Sequence, residues 1–333
     1  MEGTSDMGES GTQETRTVVI TGGTDGLGKG VALHYLRRGA HVIVVGSTRA
    51  KGTAFLSEAE AEETATATAT ATAKAGVPAG RATFLQADLT SISSAKRLVA
   101  TIRRTHTQVD KVILCAQRYR LLGPRSVTPE GLEHSFALAY LSRHILSHGL
   151  RETLESTPAP VIMNVGTPGV PLGRIHWDDP QLTHHYGGAR ATLQSFRAND
   201  LLGVAFADLH PGTPVRYIAY NPGVVATGMP DHLPQPLRTA ARAAFTALAT
   251  PVQKAVAPMA ALLDDPPDAP FTAYRTRRRL PLTGAAFDLS AARRLHHLTE
   301  DLVDRFTHAD RPPDQPADRP TEPDPAHGTN NGA

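Results

Sequence analysis

The chain has 333 residues, 40% of them hydrophobic and 20% charged, with 34 Lys and Arg against 32 Asp and Glu. That length suits one large α/β domain with extensions or two small domains, and the near-neutral balance argues against nucleic-acid or membrane-surface partners. A single cysteine, Cys115, excludes an intrachain disulfide and a cysteine-built zinc site; no apolar run approaches the ~18 residues of a membrane span, and the first 16 residues lack the apolar core of a secretory signal, so a cytoplasmic location is expected.

Residues 1–15 are polar without apolar periodicity and are expected to form a disordered arm. TVVIT (17–21) is a short apolar run closed by glycines, which predicts a buried strand. Leu27, Val31, Leu33 and Leu36 then follow helical spacing, and HVIVVG (41–46) predicts a second strand. Strand, turn, helix and strand within about thirty residues is the size of a βαβ unit. SEAEAEETATATATATAKAG (57–76) is of low complexity. Its alanines and glutamates can prolong the preceding helix, but the Thr-Ala alternation has nothing to bury, so 57–80 reads as a solvated, mobile insertion.

Strand-like runs resume at ATFLQ (82–86), KVILCA (111–116), PVIMNV (160–165) and PVRYIAY (214–220). Helical stretches at 91–104, 129–155 and 189–209 separate them. This alternation predicts an α/β fold, a Rossmann-type doubly wound parallel sheet with helices on both faces. One domain is expected over 16–306. Residues 234–306 read as mostly helical with a late strand at FTAYR (271–275), and 230–290 is assigned to the substrate pocket or its lid. The tail, 307–333, has six prolines from His308 onward and no large apolar residue, and is expected to be disordered.

TGGTDGLG (21–28) joins the first strand to the first helix. Gly22 permits a tight turn, Gly26 admits a pyrophosphate against the backbone, and Gly28 lets the helix pack on the sheet. The exposed amides at the helix start then face phosphate. The alternative is a glycine-rich turn without ligand, but the flanking strand, helix and second strand are the context a dinucleotide site requires.

The spacing TGxxxGxG resembles the signature of the short-chain dehydrogenase/reductase superfamily, and the resemblance extends from about Thr17 to Met229. It implies a nucleotide contact set of Thr21, Gly22, Thr24, Gly26, Leu27 and Gly28. Asp88, with Leu89, falls where the family holds the adenine amino group. LCAQ (114–117) stands where the family has an Asn-Asn-Ala-Gly turn, with Ala116 kept. NPGVVAT (221–227) is similar to the segment that cups the nicotinamide, implying Pro222, Gly223, Val225 and Thr227. LGRIHW (172–177) is similar to the retinol-dehydrogenase-like branch. At the end of the second strand, GSTRAKG (46–52) has no carboxylate for a ribose 2′-hydroxyl. Ser47 and Thr48 can donate hydrogen bonds, and Arg49 or Lys51 can pair with a 2′-phosphate, so NADP(H) is the expected cofactor. A solvated helix start explains Arg49 and Lys51 equally well.

The resemblance also shows departures. Family members use a Ser that polarises a carbonyl, a Tyr that exchanges the proton, a Lys four residues later and an Asn on the helix after strand four. The Ser position in NVGTPG (164–169) is Thr167, and the Asn position in FALAYL (136–141) is Ala139. In the retinol-dehydrogenase-like branch the Tyr follows 25 residues after the Ser, which lands on Thr192, and the Lys position becomes Phe196. SFRANDLL (195–202) matches the family's SKxAN run without a gap. A competing placement uses Tyr186 and Arg190 as a YxxxR pair, although two glycines between them disfavour a helix. The loop IHWDDPQLTHHY (175–186) adds His185, an acid or base near neutral pH, or simply a solvated surface group. The candidate catalytic set is therefore Thr167, Tyr186, Arg190, His185 and Thr192. No His/Cys/Asp/Glu spacing suggests a metal.

Three functions follow as expectations: non-redox acid/base chemistry on a carbonyl-bearing small molecule, such as cyclisation, isomerisation or dehydration; carbonyl reduction or alcohol oxidation with an atypical proton donor; and cofactor sensing without catalysis. The first is placed ahead. A small-molecule substrate and a homodimer or homotetramer are the expected partners.

Overall fold

The computed structural model describes residues 16–73, 80–118, 121–225 and 250–309, with side chains described except at 65–73 and 307–309. Eight strands form one sheet in the order β3-β2-β1-β4-β5-β6-β7-β8. They are β1 (Thr17–Thr21), β2 (His41–Gly46), β3 (Arg81–Gln86), β4 (Lys111–Leu114), β5 (Val161–Val165), β6 (Arg216–Asn221), β7 (Phe271–Arg275) and β8 (Arg278–Arg279). The first seven run parallel, and β8 returns antiparallel as a short hairpin. The order reverses between β1 and β4, the switch point at which such sheets bind ligands beyond their carboxyl ends.

Strand periodicity divides the core in two. Val19, Ile43, Val45, Val112, Leu114, Ile162 and Tyr217 point to one face. Val18, Ile20, Val42, Val44, Ile113, Met163 and Ile218 point to the other. Because both faces are covered, the strands read as continuous apolar runs. The helices are α1 (Gly26–Leu36), α2 (Arg49–Ala73), α3 (Ile92–Thr105), α4 (His134–Phe136), α5 (Ser142–Gly149), α6 (Arg151–Glu155), α7 (Gly188–Leu209), α8 (Val252–Asp264) and α9 (Leu289–Ala309). A π-helical turn, Ala137–Leu141, joins α4 to α5.

The doubly wound reading is correct, and the structure adds detail at three places. The low-complexity stretch is helical as far as Ala73, the continuation of α2 that its alanines and glutamates allow, and 74–79 lie outside the described residues. Alanine has the best intrinsic helix propensity, and the preceding turns already supply the nucleus. The expected helix 129–155 begins only at His134. Before it, Val127 and Glu133 form an antiparallel bridge, and the Glu133 carboxylate caps the amides of Ser135 and Phe136 at 3.0 and 2.7 Å. In the described part of 230–290, α8 packs against α1, where Val252 and Val256 approach Gly30, and β7 is an interior strand of the sheet. Residues 226–249 lie outside the described residues, as do 1–15 and 310–333. Among the described residues no helix is long and apolar enough to cross a membrane.

One polar knot ties the edge of α8 to the sheet. The Asp264 carboxylate accepts from the Tyr35 hydroxyl at 3.0 Å and from Arg16 at 3.3 Å, and lies 3.7 Å from the Lys111 ammonium. Lys111 is 3% exposed and also donates to the Leu263 carbonyl. Burial lowers the Lys111 pKa, and the Asp264 charge opposes that shift. Removing one partner of a buried pair strands the other charge. Asp264→Ala should therefore cost about 2 kcal/mol, a fall in Tm of roughly 4–8 °C. A thermal melt in which the variant matches the parent within about 1 °C would exclude this role.

Candidate active site

The turn from β1 into α1 is shaped as a dinucleotide site needs. Gly22 has φ +65°, and a Cβ there would sit 3.0 Å from the Ala116 backbone. A Cβ on Gly28 would lie 2.4 Å from the Gly22 carbonyl oxygen, so the helix can begin this close to the turn only because residue 28 has no side chain. Thr21 accepts the Ala116 amide on its hydroxyl at 3.2 Å, which ties the ends of β1 and β4 together. Thr24 packs beside Gly46 at the end of β2. Asp25 caps the Gly26 amide at 2.8 Å. A carboxylate here opposes an incoming phosphate, but Lys51 lies 2.8 Å from it and, as the main cause, holds its pKa low. Lys51 is therefore engaged, while Ser47, Thr48 and Arg49 remain exposed at the end of β2. Asp88 holds its own turn, accepting the Thr90 amide and hydroxyl at 2.9 and 2.7 Å, and Leu89 is buried beneath it. On the far side, Gly223 (φ +77°) donates its amide to Asn221 Oδ1 at 2.8 Å after Pro222, and Val225 bridges Thr250. Thr227 lies outside the described residues. These residues fit a dinucleotide: the glycine cradle is left open where a Cβ would fill it, and the exposed Arg49 at the β2 end suits a 2′-phosphate.

A cleft opens at the carboxyl ends of β4, β5 and β6. It is lined by Gln117, Thr167, Phe196, Asn199, Asp200 and the guanidinium of Arg143, among others. Its floor is a buried polar network. Arg143, 2% exposed, donates to Asn164 Oδ1, to the Val165 carbonyl at 2.8 Å, to the Ala116 carbonyl at 3.2 Å and to Gln117 Oε1 at 3.3 Å. Asn164 Nδ2 donates to Asn199 Oδ1 at 2.9 Å and to the Tyr217 hydroxyl at 3.0 Å. Asn199 Nδ2 donates to the carbonyls of Ala139 and Ser195, each at 2.7 Å. The π-helical turn carries the Ala139 carbonyl that receives this bond. π-Turns recur at functional sites because they redirect backbone groups.

Asp200 is 1% exposed, and its Oδ2 accepts the Gly169 amide at 3.1 Å. Burial raises its pKa to about 8, against the lowering effects of that bond and of Arg197. A carboxyl that keeps its proton at neutral pH is a group able to donate it. Arg197, on the turn before, is occupied by the Val170 carbonyl at 3.1 Å and does not line the cleft.

The sequence-derived catalytic residues separate into two groups. Thr167 lines the cleft beside Phe196. Thr192, one turn earlier on α7, is 3% exposed and does not line it. Tyr186 and Arg190 do not lie together on one helix. α7 starts at Gly188 behind an extended Gly187, and His185 has φ +50°, so Tyr186 precedes the helix and cannot share a face with Arg190. Arg190 is exposed and donates to the His185 carbonyl at 2.7 Å. Neither these three residues nor any lysine lines the cleft among the described residues. The 175–186 loop is pinned internally, with Asp179 accepting the Thr183 and His184 amides at 2.8 Å each. Arg143, Asn164, Asn199 and Asp200 were not singled out from the sequence. The available signals were the spacing of 192, 196 and 200 along one helix face, and a lone Arg inside the apolar run YLSRHIL (140–146).

Comparison with known proteins adds to this picture. A sequence profile described as short chain dehydrogenase matches residues 16–237. Human polyprenol dehydrogenase is 27% identical over 224 residues, 66% of this chain and 63% of that protein. Mouse retinol dehydrogenase 12 is 31% identical over 63% of this chain and 61% of its own length. The alignments thus span less than two thirds of either relative. Among solved structures, a short-chain dehydrogenase from Sphingobium yanoikuyae in complex with NADPH superposes with a TM-score of 0.54 at 17% identity. It covers 91% of this chain and 99% of its own, a likeness of fold.

Proposed function

From the premise that this chain belongs to the short chain dehydrogenase family, we propose that it binds NADP(H) and acts on a carbonyl-bearing small molecule by acid/base chemistry without net electron transfer. The observation that carries this reading is the make-up of the cleft: Thr167 and Asp200, whose pKa burial raises to about 8, line it together with Phe196, and by the resemblance Phe196 stands where family members present a lysine. Thr167 is placed to hydrogen-bond the substrate oxygen. The fixed guanidinium of Arg143 below the cleft favours negative charge developing on that oxygen. Asp200 holds the proton to be delivered. Isomerisation, dehydration and cyclisation each need such an acid and an oxyanion partner, and none needs the ribose-binding ammonium.

A second reading has its own support. The names of the relatives and the intact glycine turn favour hydride chemistry, which the nicotinamide supplies when bound; Asp200 then replaces the phenol as proton donor. One experiment separates the two. The protein is incubated with NADPH and a panel of ketones, enones and aldehydes, with absorbance at 340 nm and product mass followed together. Turnover with constant absorbance and an unreduced product is expected. Stoichiometric loss of absorbance with a product two hydrogens heavier establishes the second reading. Tight NADPH binding with no turnover of any compound overturns both.

The choice of cofactor is tested at Arg49. A charge-assisted hydrogen bond to a 2′-phosphate is worth ~1.5–3 kcal/mol, so Arg49→Ala should weaken NADPH binding by roughly tenfold or more and leave NADH binding unchanged. Equal effects on both, read by fluorescence titration, would remove the case for a phosphate contact.

A further inference from the structure

A cluster of histidines lies between α5, α9 and the end of α7, apart from the residues that line the cleft. His144 and His148 are four apart on α5, and His296 and Glu300 are four apart on α9, so each helix presents both its members on one face. The rings of His144, His148 and His296 stand 4.6, 5.4 and 5.3 Å apart, centre to centre. One ring nitrogen from each lies within 4.8 Å of the other two. Three buried nitrogens in this group, His144 Nδ1, His148 Nε2 and His296 Nδ1, have no hydrogen-bond partner. An unsatisfied buried polar atom is costly, and three converging from two helices call for a common partner.

The outer nitrogens of His144 and His148 explain why two of these atoms remain open. His144 Nε2 is 2.5 Å from Glu300 Oε1, which accepts its N–H and leaves the lone pair on Nδ1. His148 Nδ1 lies 3.1 Å from His210 Nε2, and donation from Nδ1 leaves the lone pair on Nε2. A carboxylate or second imidazole behind a histidine, fixing its tautomer, is the arrangement found behind metal ligands. His144 is 2% exposed, while His148 and His296 are half-buried, which gives an ion a path in.

We propose that His144, His148 and His296 form a binding site for a divalent transition-metal ion of the zinc class, with Glu300 and His210 orienting two of the ligands. Imidazole donors suit zinc, copper and nickel and do not suit magnesium or calcium. At zinc–nitrogen distances of ~2.0–2.1 Å, tetrahedral ligands sit about 3.4 Å apart, so small side-chain rotations close the site. A fourth position is left for water. The ion ties α9 to α5. It reinforces the Tyr140–Thr299 hydrogen bond at 2.7 Å that crosses between the π-helical turn and α9. The proposal is independent of the reaction assigned to the cleft.

The test uses the full chain without a polyhistidine tag, stripped with a chelator and titrated with zinc sulfate against a chromophoric competitor. One ion per chain is expected, and zinc should raise Tm by several degrees. His296→Ala and His296→Gln should each weaken binding at least tenfold and abolish the Tm rise. Glu300→Gln should weaken binding by roughly 10–100-fold. His297→Ala, at the exposed neighbouring histidine, should change nothing. X-ray absorption of the zinc-loaded protein should show nitrogen and oxygen ligands with imidazole scattering. Equal affinity in the parent and both His296 variants, or no stoichiometric zinc binding by the parent, overturns the proposal. His296 is on an outer helix and half-buried, and the glutamine variant keeps its polarity, so one of the two variants is available should the other fail to fold.

Discussion

Asp200→Asn should lower turnover by ~10²–10⁴-fold, the usual worth of a positioned general acid, while leaving NADPH affinity within about twofold. The replacement keeps the shape, and an amide oxygen can still accept from Gly169, so the loss would report the proton and not the packing. The pH dependence gives a second signature. With its pKa raised to about 8 by burial, Asp200 should impose a fall in activity above pH ~8 that the variant lacks. Stability responds in the opposite sense to an ordinary salt-bridged carboxylate. Between the unfolded value near 3.9 and the folded value near 8, the native state holds a proton that the unfolded chain releases. Stability therefore declines as pH rises through that window, and the decline levels off above it. The asparagine variant escapes this penalty, so its Tm at pH 8 should exceed the parent's by an amount of order 5 °C. A ¹³C titration that places the Asp200 carboxyl in the ordinary carboxylate range would end its assignment as the acid.

Gly28→Val should weaken dinucleotide binding markedly. A Cβ at residue 28 would meet the Gly22 carbonyl oxygen at 2.4 Å, a backbone atom that cannot swing away. The turn must open, and the amides at the start of α1 then lose their aim at phosphate. Overpacking of this kind costs about 1–3 kcal/mol, which corresponds to a weakening of NADPH binding of roughly 5–150-fold. Far-UV circular dichroism should stay near that of the parent, because both core faces of the sheet are untouched. Binding within about twofold of the parent would mean that the nucleotide does not use this turn.

Local sequence made the scaffold legible. TVVIT, HVIVVG and PVIMNV are continuous apolar runs because both faces of their sheet are covered, and the glycines at 22 and 28 mark a turn that side chains would block. Arg143 and Asp200 were harder to read. Each is a charged residue inside a helix, and a helix bearing one looks the same whether that residue meets water or the interior. Folding brings β4, β5 and α7 together around them, and only that burial fixes the Arg143 guanidinium in its network and raises the Asp200 pKa. Tyr186 and Arg190 show the converse. Their spacing fits one helix face, but the helix does not begin until Gly188.

The amino-acid order alone therefore determined the strands, the alternating helices and the glycine turn between the first strand and the first helix. Those features depend on neighbours within a few residues, through steric limits and apolar periodicity. The tertiary structure decided which polar groups share the cleft and which histidines face one another across α5 and α9. Protonation and ligation depend on distances between segments far apart in the chain, and local pattern contains no information about those distances.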